Sequence, residues 1–256
     1  MESEGYEMAE EDFVSGLGSV WYIEAPIDFS TALFERIGNN HITARDLAFA
    51  RINSETDHSL CRNGSFVREG VLYVPKFDGV ILVRDSLVLK NPKGLVEAHR
   101  NGEDFFIDKT VADEYIDRAR NGDNSVFVLK DFSAVPTGRF GEDERTVWLY
   151  QDIAQEYGEF LEEYGKPEMP LDFDDSKYIN EQEKPFANQA AVHSLSSSSE
   201  VNGVGNLNCS YRARWIYDKS GFYTMDQFLQ AIKKGGVDIS AGLEKTILEH
   251  LEVFRR

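Results

Sequence analysis

The sequence predicts an α+β fold: short antiparallel strands and hairpins, an N-terminal helix pair and two C-terminal helices. Three observations lead there. Capped segments with apolar residues at helical spacing recur near both ends of the chain. Short β-rich runs separated by turn residues fill 66–90. Helices and hairpins cluster locally, without the strand–helix alternation of a parallel α/β sheet, and no internal repeat is present. At 256 residues and 41% hydrophobic, the chain buries enough surface to stand without disulfides or a structural metal.

Residues 1–12 hold six acids and no base, and read as a disordered acidic leader. Residues 13–256 then form a single α+β domain, with a candidate N-terminal subdomain at 19–90 and the remainder at 91–256. Ser15–Gly18 is a turn into a strand at 20–23. Asp28 caps a helix over 29–37 that Gly38 ends, and Thr43 caps a second, with Asp46 in the capping-box position. Phe66–Arg68, Val71–Val74, Val80–Val83 and Leu87–Leu89 read as strands, joined by turns at Glu69-Gly70, 77–79 and 84–86. A helix follows at 110–120, boxed by Thr110 and Asp113. Ser125–Leu129 and Thr146–Tyr150 read as strands. Ile153, Tyr157, Phe160, Leu161 and Tyr164 stripe an acidic amphipathic helix over 152–164. Residues 165–209, rich in Pro, Ser, Asn and Gly, carry the weakest structural signal, with a mobile loop at 194–206. A strand at 211–217 and helices opening at Thr224 and Ser240 close the chain.

Charge is the strongest compositional signal. Asp and Glu number 45 against 27 Lys and Arg, a net of −18. Residues 142–184 contribute fourteen acids and four bases, and with 1–12 supply −16 of that total. Such a field repels nucleic acid and anionic membrane and attracts basic surfaces. No apolar run exceeds about six residues, far below the ~20 of a membrane helix. The acidic N-terminus lacks the basic and apolar regions of a secretory signal, and Cys61 and Cys209 form no disulfide framework, so a cytoplasmic address is expected.

Four groups of residues carry chemical expectations. On the acidic helix, Glu156, Glu159, Glu162 and Glu163 edge Tyr157 and Tyr164, a pattern suited to a basic, partly apolar protein partner. Asp57 and His58, three residues before Cys61, are candidate catalytic groups, since a carboxylate-oriented histidine is a common general base. Asp172, Asp174, Ser176, the Tyr178 carbonyl, Asn180 and Glu183 present oxygen ligands at alternating spacing. This twelve-residue stretch resembles the calcium loop of EF-hands, although Lys177 stands where that loop has glycine. The resemblance implies calcium; no other cofactor is expected. Residues 29–90 have helix-turn-helix spacing with a hairpin as wing, and a local balance of ten bases to seven acids over 36–100. Arg45 and Arg51 are the candidate DNA contacts. Phosphate loops, dinucleotide fingerprints and zinc-protease motifs are absent. The leading expectation is therefore an acidic regulatory protein that binds a basic protein surface, in the extreme by imitating nucleic-acid charge. A cation-assisted hydrolase and a winged-helix regulator are the alternatives.

Overall fold

A computed structural model describes residues 7–24, 27, 30, 31, 34, 40–173, 181–198, 200–204 and 212–217. In chain order the elements are β1 (Glu7–Val14), β2 (Gly18–Glu24), α1 (Ala44–Ile52), α2 (Ser59–Arg62), β3 (Ser65–Tyr73), β4 (Val80–Val83), α3 (Leu87–Lys90), α4 (Pro92–Asn101), α5 (Lys109–Arg120), β5 (Val126–Leu129) and β6 (Val135–Pro136). There follow a 3-10 turn at Thr137–Arg139, α6 (Glu144–Tyr150), a second at Gln151–Ile153, α7 (Ala154–Glu163), β7 (Glu168–Met169), β8 (Leu171–Asp172), β9 (Phe186–Val192), β10 (Val201–Val204) and β11 (Arg212–Tyr217).

Nine of these strands make one sheet, ordered β1-β2-β11-β3-β9-β10-β8, with β4 joining β3 and β5 joining β4. Most pairs are antiparallel; β11–β3 and β10–β8 are parallel. β11 inserts between β2 and β3, so the two ends of the described chain close the sheet together. Trp215 of β11 stands opposite Trp21 of β2, and their rings stack at 6.1 Å. Alternation along β3 and β4 divides the core. Val67, Val71, Val80 and Leu82 face α1, α6 and α7, while Phe66, Leu72, Ile81 and Val83 face α3–α5.

The sheet forks along one edge of β3. Ser65 and Phe66 pair with β11, whereas Gly70–Leu72 pair with β4. Between them Arg68 bonds neither strand: its N–H donates to the Ile42 carbonyl (2.8 Å), and its carbonyl accepts from Ser86 N–H (3.0 Å). On the opposite edge, the register with β9 shifts between Phe66 and Gly70. The Gln189 amide donates to the carbonyls of Val67 and Glu69, satisfying groups that the bulge leaves unpaired. Gly70 is required here, because a Cβ would lie 2.9 Å from the Ser86 backbone.

This architecture overturns the expected arrangement of an N-terminal helix pair and two C-terminal helices around hairpins: the body is a nine-stranded sheet with short helices. Of the helix expected at 29–37, most positions lie outside the described residues, though Ser30, Thr31 and Phe34 are helical. The helices expected after Thr224 and Ser240 lie outside them altogether. Residues 7–12 belong to β1, paired antiparallel with β2 around a register shift at Glu11, where a disordered leader was expected. The supposed turn at Glu69-Gly70 is the bulge inside one continuous strand. Leu87–Lys90 is a helical turn, because the Ser86 hydroxyl accepts the Val88 N–H. Likewise Thr146–Tyr150 is helical, nucleated by Asp143, whose carboxylate accepts from Arg145 N–H. Residues 201–204, read as loop, are β10.

Candidate functional site

The acidic helix forms close to its expected bounds. Ala154, Tyr157, Gly158 and Leu161 face inward, and Glu156, Glu159, Glu162 and Glu163 are exposed. Gly158 lets the helix lie against the 3-10 turn before it, since a Cβ would sit 2.3 Å from the Thr137 carbonyl. Tyr157 is buried in an aromatic group with Tyr150, 4.7 Å between centroids, and its hydroxyl accepts from Arg51 Nη1 at 3.0 Å. Tyr157 is therefore a core residue and not the surface anchor expected of it. Tyr164 is half-buried, with its ring 6.0 Å from Phe160.

Among the described residues, no cation pairs with any of the four glutamates. Glu156 and Glu163 lie three and four residues from Glu159, each about one turn away, spacings at which like charges repel. Glu162 and Glu163 also occupy the last turn, which contains no basic residue. There the helix dipole opposes negative charge by about 0.3–1 kcal/mol per group. A helix shaped by stability alone carries lysine or arginine at these positions. Nearby, Asp152 differs, being held by Arg45 in two hydrogen bonds of 3.0 Å.

The other expected sites are not assembled as expected. His58 caps α2, its Nδ1 accepting from Leu60 N–H at 3.3 Å, and its Nε2 lies 3.7 Å from Asp12. Asp57 points away, 3.5 Å from Arg62, so Asp57 and His58 form no dyad. Cys61 is fully buried, and burial pushes its thiol up. Asp172 and Glu183 are both exposed; Asp174, Ser176, Tyr178 and Asn180 lie outside the described residues, as does Cys209. Among the described residues, no three His, Cys, Asp or Glu side chains are gathered for a metal. The DNA-binding arrangement is contradicted at two points. Arg51 is fully buried, donating to the carbonyls of Leu60 (2.9 Å) and His193 (2.7 Å), and the supposed wing is part of continuous β3. No helix among the described residues is long and apolar enough to cross a membrane.

Sequence reasoning missed two buried charged groups. Arg214, fully buried, grips Glu11 at 2.5 and 2.9 Å; Ser59 and Arg212 also donate to Glu11, at 2.6 and 3.0 Å. Glu69, buried beneath α1, accepts from Ala44 N–H at 2.9 Å and lies 3.6 Å from Arg84. Burial pushes the Glu69 carboxyl up to about 7. Neither pair leaves a local signal, because their partners are distant in sequence.

With this geometry in hand, comparison with known proteins identifies the fold. No family model matches the chain, and no curated protein matches it. A solved structure described as "Accommodation of massive sequence variation in Nanoarchaeota by the C-type lectin fold" superposes with a TM-score of 0.52. It covers 78% of this chain and 97% of its own, at 21% identity. The likeness is one of fold: the chain resembles the C-type lectin fold, which completes the correction of the expected architecture.

Proposed function

We propose that the chain is a binding protein that engages a basic protein surface through the outer face of α7, carried on a C-type-lectin-like frame. One observation carries the reading: four exposed glutamates stand together without a counter-ion among the described residues, two of them against the helix dipole. Sequences break local rules without compensation mainly where function requires it. The helix is firmly seated by Tyr157, Leu161 and the contact at Gly158, so the charges are held in place before a partner arrives. Steering by such a face speeds encounter and weakens with salt. The nanoarchaeal structure is described in terms of massive sequence variation accommodated by the C-type lectin fold. On that pattern the frame here presents a surface, and the chemistry of recognition lies in the side chains it displays.

The test compares the wild-type chain with the quadruple variant E156Q/E159Q/E162Q/E163Q as bait in lysate of the native host, at about 50 mM and about 300 mM salt. A partner held by the wild type at low salt and lost both at high salt and by the variant is expected. Equal capture by the variant would remove the helix from the interface.

A further inference from the structure

The fork in the sheet opens a cleft of about 450 Å³ that is separate from α7. One wall is the Asn40-His41 segment, the other the Asp85–Lys90 turn, and Arg68 rises from the floor at the point where β3 passes from β11 to β4. We propose that this cleft binds a small organic monocarboxylate.

The polar groups converging there are under-used. Arg68 gives only its Nε to Asp85, at 2.6 Å, and among the described residues no acceptor meets its two Nη groups. Lys90 reaches nothing among them nearer than the Tyr115 hydroxyl, at 3.4 Å. The Asn40 side chain is exposed and has no hydrogen bond among them. His41 is 4% exposed; its Nε2 meets the Thr31 hydroxyl at 3.1 Å, but its buried Nδ1 has no partner among the described residues. A buried polar atom left unsatisfied costs roughly 1–3 kcal/mol. Phe34 and Leu89 supply the apolar part of the lining.

Charge and shape select the ligand. Burial keeps His41 neutral, so among the described lining residues Arg68 and Lys90 against Asp85 leave one net positive charge in a chain of −18. That balance suits one negative charge and penalises polyanions. A guanidinium whose Nη groups meet no acceptor among the described residues matches a planar carboxylate in two parallel hydrogen bonds, with the ammonium as a second contact. The volume suits a ligand of amino-acid to small-drug size with an apolar tail.

Ligand-observed NMR with benzoate, phenylacetate, hexanoate and N-acetylphenylalanine, each against its primary amide, tests the site. At least one acid is expected to bind with a Kd on the order of 1 mM or tighter, and its amide at least tenfold more weakly. Arg68→Ala and Lys90→Ala, both at solvent-reached positions, should each weaken binding about tenfold, while Asp85→Asn should strengthen it by removing the competing carboxylate. The E156Q/E159Q/E162Q/E163Q chain should bind unchanged, which separates this site from α7. No saturable binding of any acid, equal binding of acid and amide, or indifference to Arg68→Ala would each overturn the proposal.

Discussion

Glu11 and Arg214 lie 203 positions apart and meet in the protein interior. Burial by itself raises the Glu11 carboxyl; the hydrogen bonds and charge of Arg214, with Ser59 and Arg212, override it and hold the group at about 2. The folded value is below the unfolded 4.5, so this pair's contribution is complete above pH 4.5 and is lost as pH falls through about 2. For the Glu11 carboxyl alone the shift corresponds to roughly 3 kcal/mol, and the burial that pushes Arg214 down offsets part of it. Glu69 behaves oppositely: with a folded value near 7, its contribution is complete below pH 4.5 and is lost as pH rises through 7. Urea denaturation across pH 3–8 measures both. Relative to wild type, Glu69→Gln should flatten the decline between about pH 4.5 and 7, and Glu11→Gln should flatten the acid limb while lowering neutral stability by about 3–5 kcal/mol. An unchanged pH profile in either variant would contradict the role given to that carboxyl.

At the scale of elements, the seat of α7 depends on the absence of a side chain at residue 158. Gly158→Ala places a methyl 2.3 Å from the Thr137 carbonyl and 2.8 Å from Phe140 Cβ, and backbone must move to admit it. A loss of about 1–3 kcal/mol is expected in spite of alanine's better helix propensity, and a gain in stability would show that the contact is looser. Asp143→Ala should cost about 1 kcal/mol through the cap of α6, and more if Arg145, which it also holds at 2.7 Å, is released. These elements also show what local sequence reveals. Thr43 with Asp46, and the stripe from Ile153 to Leu161, are complete signals within a few residues, and both helices form where expected. Thr146–Tyr150 misleads because β-branched and aromatic residues favour strands, yet one upstream carboxylate and burial of Leu149 and Tyr150 against helices decide otherwise. In β9 the run Phe186–Val192 carries three alanines and an asparagine, types depleted in strands, and is strand-forming only because β3 and β10 flank it.

For the molecule as a whole, the order of the sheet could not be read from the sequence. Insertion of β11 between β2 and β3, the fork at Arg68 and the parallel β10–β8 pair are long-range choices without a local signature. The charge distribution, by contrast, was legible from the start, and the glutamates expected at a surface are exposed. What the sequence could not separate was the buried Tyr157 from the half-exposed Tyr164, since both lie on the apolar stripe. At this scale the described residues form a sheet frame that displays an acidic helix without counter-ions among them, and the proposed binding role follows from that display. Zero-length carbodiimide cross-linking of the wild-type chain to its captured partner, with the coupled carboxylates mapped by mass spectrometry, tests the claim most directly. The expected result is coupling of partner lysines to Glu156, Glu159, Glu162 and Glu163, suppressed by about 300 mM salt. Cross-links that fall elsewhere and leave these four carboxylates uncoupled would contradict it.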